Sequence, residues 1–267
     1  MDIVGWTHSR NPQPRLRSLA LALTLTVGLA VPIAWAAQQD AEQQDTEQHT
    51  PADSYGAHAE GHPQHGHHGD ATKQRFDDID KAVEMFENTE RDAWQKPDEV
   101  LAHMQLQPGD VVADIGAGTG YFTRRFAEAV GADGRALGLD VEASMVAYMN
   151  ADAQQRGLKN YTARQVQPSD PQLDPQSMDV IFICDTYHHI PDRVDYVRTL
   201  ASALRAGGRV IIVDFNDKPA PFGPPAEWKL SAETITQEFQ QAGLQLARSV
   251  DFLPYQYFLE FTRASTE

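Results

Sequence analysis

The sequence predicts an α/β fold: a Rossmann-like, doubly wound, mostly parallel seven-stranded sheet with helices on both faces. Two observations predict it. From Val111 to Phe215, short runs of β-branched and aromatic residues alternate with stretches of helical period. That alternation implies right-handed crossovers and a sheet covered on both sides. The first run, Val111-Val112-Ala113-Asp114-Ile115, enters Gly116-Ala117-Gly118-Thr119-Gly120 and then an amphipathic helix. Such a strand–turn–helix corner lets the backbone approach a ligand and presents free N–H groups to polar or negative atoms.

The amino end precedes the fold. Arg10, Arg15 and Arg17 stand ahead of an apolar run over 18–34, closed by Ala34-Trp35-Ala36. That order reads as a signal peptide over 1–36, cleaved after Ala36, which makes the chain exported: periplasmic or secreted. The alternative is a signal anchor, the one membrane association expected, with the domain outside. No cysteine follows the run, which excludes a lipid-modified form. Residues 37–72 are rich in Gln, Asp, His, Gly and Pro and read as a disordered linker, since they bury too little to offset ordering. Within it, His58, His62, His65, His67 and His68 are weak metal-ligand candidates. They lack a fixed geometry, so a soluble tether is preferred to a metal-scavenging tail and no metal site is assigned.

The domain spans 73–267, with order resuming near Phe76. Asp80–Phe86 has helical spacing, and Pro97 starts a second helix with Val100, Leu101 and Met104 on its apolar face. Leu106–Asp110 turns into the first strand. Beyond the glycine turn, Phe122, Phe126 and Val130 form a helical stripe ended by Gly131 and Gly134. Ala136–Asp140 is a strand ending on an acid, Met145, Met149 and Ala153 mark a helix, and Tyr161–Val166 and Asp179–Cys184 are strands. Asp192–Arg205 is a helix stopped by Gly207-Gly208, with Leu204 among its inner residues, and Arg209–Phe215 is the fifth strand. Ser231 caps a helix running to Ala242, and Leu246–Val250 and Tyr255–Thr262 complete the sheet.

Composition narrows the partners. With 267 residues and 41% apolar content the chain holds a sizeable core. A formal net charge of −16 excludes nucleic acid, whose phosphates need a basic surface. Cys184 is the single cysteine, so neither an internal disulfide nor a thiolate metal cage forms. The oligomeric state is not legible.

The glycine turn departs from the dinucleotide fingerprint G-x-G-x-x-G: Gly116 and Gly118 fit, but Tyr121 holds the third glycine position and Gly120 falls one residue early. A tyrosine there obstructs the close helix–strand approach that a nicotinamide cofactor's fold uses. Taken with Asp140, with Asp179–Asp185 and with Leu204-Arg205-Ala206-Gly207-Gly208-Arg209, the loop resembles the motif series of class I S-adenosylmethionine-dependent methyltransferases, small-molecule and type 11-like. The likeness spans roughly Trp94 to Phe215. It implies S-adenosyl-L-methionine as cofactor and a small-molecule acceptor such as a quinone precursor. It implies that Gly116, Ala117, Gly118 and Gly120 offer backbone to the methionine part, that Asp114 holds its amino end, and that Asp140, with Val141 beside it, takes the ribose hydroxyls. The acid for the adenine amine after the third strand is open between Gln167 and Asp170.

Methyl transfer from a sulfonium is an in-line displacement that needs alignment and water exclusion more than acid–base help. The corner Asp185-Thr186-Tyr187-His188-His189-Ile190-Pro191 follows the fourth strand. There His188 is the candidate base or orienting group, and Asp185 contacts the cofactor amine or orders its neighbours. Trp94 is read as a lid or a sheet-edge residue, and the loop Asn216–Pro225, with Phe222 and Trp228, as the wall of an apolar acceptor site. Export places such an enzyme where its cofactor is not made, so the alternative is an exported cofactor- or metal-binding protein that keeps the fold without turnover.

Overall fold

The structure, a computed structural model, describes residues 79–264. The expected signal peptide, the linker and its histidines lie outside the described residues. Three short helices lead in: α1 (Ile79–Phe86), α2 (Glu90–Gln95) and α3 (Pro97–Met104). The sheet and its crossovers follow as β1 (Val111–Ile115), α4 (Thr123–Val130), β2 (Arg135–Asp140), α5 (Ala143–Arg156), β3 (Tyr161–Gln165) and β4 (Met178–Cys184). A turn of 3-10 helix, Tyr187–His189, leads to α6 (Arg193–Ala203), β5 (Leu204–Phe215), α7 (Ala232–Gln241), β6 (Leu244–Val250) and β7 (Gln256–Arg263).

The seven strands run in the order β3-β2-β1-β4-β5-β7-β6. β1 to β5 are parallel, and β7 pairs antiparallel with both β5 and β6. The chain leaves β1 toward β2 and β3, then returns to the other side of β1 as β4. The β1/β4 boundary is therefore the topological switch point, where open α/β sheets bind ligands at the carboxyl ends of their strands.

Side chains alternate across the pleat, so each strand feeds two cores. Val112, Val180, Phe182, Ile211 and Val213 meet Val100 and Met104 of α3, Phe126 and Val130 of α4, and Met149 of α5. Ala113, Ile115, Ile181, Ile183, Val210 and Ile212 meet Val197 and Leu200 of α6 and Ile235 and Phe239 of α7. Phe122 and Phe126 stand edge-on to Phe182 at 4.9 and 5.1 Å between ring centres. Each such buried ring contributes about 2–3 kcal/mol by leaving water, and this contact sets α4, and the loop before it, against β4.

Two sequence expectations are corrected. Leu204 is not in a helix: α6 ends at Ala203, and Leu204 has extended backbone (φ −67°, ψ 136°), opening β5 against Met178. A buried leucine suits helix and strand equally, and here sheet pairing decides. Helix α2 also forms where none was expected, because its six residues show no period long enough to read. Ser231 caps α7 as expected, its hydroxyl accepting from the Thr234 N–H at 3.0 Å.

Candidate active site

The glycine loop is tied to β2 rather than left open. The N–H groups of Gly116 and Ala117 donate to the Leu139 carbonyl at 2.8 and 3.0 Å, and that of Gly118 to Asp140 Oδ2 at 2.8 Å. Asp140 Oδ1 accepts the Glu142 N–H at 2.9 Å, so one carboxylate spans the loop and the start of α5. Burial raises its pKa, against the pull of these backbone donors. Two glycines have specific reasons. Gly116 has φ +67°, and a Cβ there would overlap the Thr186 side chain; Gly120 has φ +79°, and a Cβ would overlap the Tyr161 hydroxyl. Any larger residue strains the backbone and displaces a neighbour at both.

Four carboxyls line the carboxyl ends of four adjacent strands: Asp140 on β2, Asp114 on β1, Asp185 after β4 and Asp214 on β5. Asp114 is 3% exposed, and its Oδ2 accepts the Thr123 hydroxyl at 2.6 Å. Burial pushes its pKa up to about 7, against Thr123 and Arg91 and helped by Asp140. Asp185 sits at φ +51°, an uncommon backbone for a side-chain-bearing residue. Burial raises its pKa to about 7, assisted by Asp214 and opposed by Arg91, a Gln256 hydrogen bond and His188. Arg91 is thus the cation that faces both Asp114 and Asp185 across the switch point.

His188 lies inside the corner rather than on its open side. Its side chain is 3% exposed, Nδ1 stands 3.0 Å from both Asp214 carboxylate oxygens, and its ring is 4.2 Å from that of His189. Burial alone would lower its pKa, but the Asp214 hydrogen bond and charge, with Asp185, leave it raised. Gln167 and Asp170 are exposed and bridge one another after β3. Asp170 Oδ1 already accepts the Gln172 N–H at 2.8 Å. Val141 is 42% exposed beside Asp140.

Helices α1 and α2 close over the loop. Glu87 accepts from the Thr119 hydroxyl and pairs with Arg124, whose other nitrogen is 3.5 Å from Asp152. Tyr121 donates its hydroxyl to Asp92, and its ring lies between the guanidinium groups of Arg91 and Arg125 at 4.0 and 4.1 Å. The residue that replaces the last fingerprint glycine thus anchors α2. Trp94 stacks on Phe222 at 4.4 Å and leans on Phe215 at 5.8 Å, joining α2 to the loop after β5. That loop walls a groove of about 1040 Å³, whose lining includes Lys218, Phe222, Pro224, Lys229, Gln256 and Tyr257. Trp228 packs edge-on to His189 at 5.8 Å.

Asp214, Arg91, Gln95 and Gln256 escape the sequence reading. Asp214 carries the signal that marks Asp114 and Asp140, an acid near the end of an apolar strand. The other three carry none. Among the described residues no cluster of His, Cys, Asp and Glu is arranged to hold a metal ion, and no helix is long and apolar enough to cross a membrane.

Residues 106–251 match the family model of a methyltransferase domain. A demethylmenaquinone methyltransferase of Alkalihalophilus pseudofirmus is 24% identical over 55% of this chain and 64% of its own length. A 27-O-demethylrifamycin SV methyltransferase of Amycolatopsis mediterranei is 31% identical over 49% of this chain and 47% of its own. The chain thus matches between about half and two thirds of each of these curated relatives. A crystal structure described as a SAM-dependent methyltransferase from Aquifex aeolicus superposes with a TM-score of 0.65, at 24% identity, over 69% of this chain and 97% of that one, and shows the same fold.

Proposed function

The chain belongs to the class I S-adenosylmethionine-dependent methyltransferases, and on that footing we propose that it moves a methyl group from S-adenosylmethionine to a small apolar acceptor. The carrying observation is the charge at the switch point. Asp114, buried, and Asp185, half-buried, flank it as carboxyls whose ionisation burial resists, and the Arg91 charge opposes that effect at both. A ligand bearing an ammonium and a sulfonium supplies the missing positive charge, so the donor set fits this cofactor. Asp114 and Asp185 would hold its amine, and Asp140 would accept both ribose hydroxyls. Val141 and one of Gln167 or Asp170 would border the adenine; Gln167 suits this better, since Asp170 spends an oxygen on its own turn.

When bound, S-adenosylmethionine supplies an electrophilic methyl that passes in line to a nucleophile while sulfur leaves neutral. The chain's contribution is placement. Trp94, Phe215 and Phe222 form an aromatic wall that excludes water near the carboxyl end of β5. The groove beyond it takes an apolar body, in keeping with relatives named for demethylmenaquinone and demethylrifamycin. His188 orients rather than abstracts, because its ring is enclosed and held by Asp214.

Isothermal calorimetry with S-adenosylmethionine tests the reading. The full chain is expected to bind. Asp140→Ala is expected to lose at least about a hundredfold in affinity, since hydrogen bonds to a charged acceptor contribute about 1.5–3 kcal/mol each. Absence of binding by the full chain excludes it, and wild-type affinity in Asp140→Ala removes the role given to Asp140. Export remains a proposal resting on Arg10 to Ala36; cell fractionation with amino-terminal sequencing of the exported form checks it.

A further inference from the structure

Two glutamines occupy sites that a packed core normally gives to apolar residues. Gln95 is 0% exposed and Gln256 1%, and an amide buried without partners is costly. Neither lacks partners. Arg91 Nε donates to Gln95 Oε1 at 3.3 Å, Gln95 Nε2 to Gln256 Oε1 at 2.7 Å, and Gln256 Nε2 to Asp185 Oδ1 at 2.6 Å. The ends give this chain a direction. A guanidinium only donates and an ionised carboxylate only accepts, so each amide between them has a single satisfied orientation. The chain joins α2, β7 and the turn after β4. The same α2 stacks Trp94 on Phe222 of the acceptor loop.

We propose that Gln95 and Gln256 are positioning residues: they hold Asp185 toward the cofactor amine and carry its charge state to α2, so that cofactor binding seats α2 and, through Trp94, the acceptor loop. The proposal rests on Asp185 being an acid that meets the cofactor amine. With Asp185 ionised, every link is satisfied and the last is charge-assisted, roughly twice as strong as a neutral one. A proton on Oδ2 removes that assistance. A proton on Oδ1 turns the acid into a donor, and each compensating amide flip moves a donor–donor clash one link toward Arg91. Either way α2 loosens. A cationic amine beside Asp185 keeps it ionised and holds α2 down, which orders cofactor before acceptor.

The groups facing Asp185 are Asp214 from β5, Cys184 from β4, His188 from the following turn, Arg91 from α2 and Gln256 and Tyr257 from β7. Asp114 also faces Arg91 and titrates in the same range, so the test must separate the two acids. Trp94 is followed by fluorescence in the full chain with Trp6, Trp35 and Trp228 changed to Phe, between about pH 5 and 9, with and without S-adenosylmethionine. The ligand-free protein is expected to show a transition in the Trp94 signal near neutrality, and the cofactor to move its midpoint down by at least about one pH unit. Asp185→Asn and Gln256→Leu, each shown folded by circular dichroism, are expected to abolish the transition. Gln95→Met is expected to uncouple Trp94 while cofactor affinity keeps its pH dependence. Should Gln256→Leu not fold, Asp185→Asn and Gln95→Met decide the matter. A transition unchanged in Asp185→Asn or in Gln95→Met overturns the relay. Failure of every form to bind the cofactor sinks the cofactor reading instead, and the ligand-free transition still decides the relay.

Discussion

Asp114 shows what one residue contributes and costs. Its carboxyl is enclosed beside the glycine loop, and burial raises its pKa from 3.8 to about 7. The folded state therefore prefers the neutral acid. That preference favours folding in full below about pH 4 and is lost as pH rises through 7, beyond which ionisation costs on the order of 4 kcal/mol of stability. Asp114→Asn keeps an acceptor for the Thr123 hydroxyl and never ionises. It is expected to be more stable than wild type at pH 8 and to converge with it near pH 4, measured by urea unfolding, while cofactor affinity falls. Wild type more stable than Asp114→Asn at pH 8, with the difference fading toward acid pH, would show instead that Asp114 is ionised in the fold and stabilised there. Such a residue is kept for its site at a cost in stability.

At the scale of elements, the glycine loop, β3 and α5 fit together through one contact. The Tyr161 hydroxyl is buried against Gly120 and has no hydrogen-bond partner among the described residues. Tyr161→Phe removes an unsatisfied group, and is expected to leave stability unchanged or raise it by about 1 kcal/mol in chemical denaturation. Gly120→Ala is expected to destabilise severely, and measurably less in the Tyr161→Phe background. The remainder reflects φ +79° and the Met149 side chain, which closes on the same space at 3.0 Å. Equal costs in both backgrounds would mean that the Tyr161 hydroxyl has no part in the demand for glycine. The loop's composition is legible from sequence because glycine is spaced for a ligand turn. That Gly120 also serves packing is not, because Tyr161 lies far along the chain.

For the whole molecule, the antiparallel pair β6–β7 completes the sheet. β7 pairs with β5 from Arg209↔Thr262 to Phe215↔Gln256 and supplies Phe258 to one core and Leu259 and Phe261 to the other. Ending the chain at Gly243 exposes the β5 edge and removes Gln256 from Asp185. An uncovered apolar edge is a template for pairing with other chains. The shortened chain is expected to aggregate on size-exclusion chromatography and to lose cofactor binding, whereas a soluble, folded monomer would show that β1 to β5 suffice.

Sequence alone determined the α/β class, the order of the seven strands along the chain, and the acids and glycines at the ends of β1 and β2. Those features are written locally, in the period of apolar residues and in the residue types that turns and strand ends require. Tertiary structure decided the rest: that Leu204 opens a strand, that Tyr121 anchors α2, that His188 is enclosed by Asp214, and that Arg91, Gln95 and Gln256 form a directed chain to Asp185. Each depends on groups brought together from segments up to 161 residues apart. Neither local period nor residue type carries information about which buried polar group will meet which; only the closed sheet, with its helices seated, sets those distances.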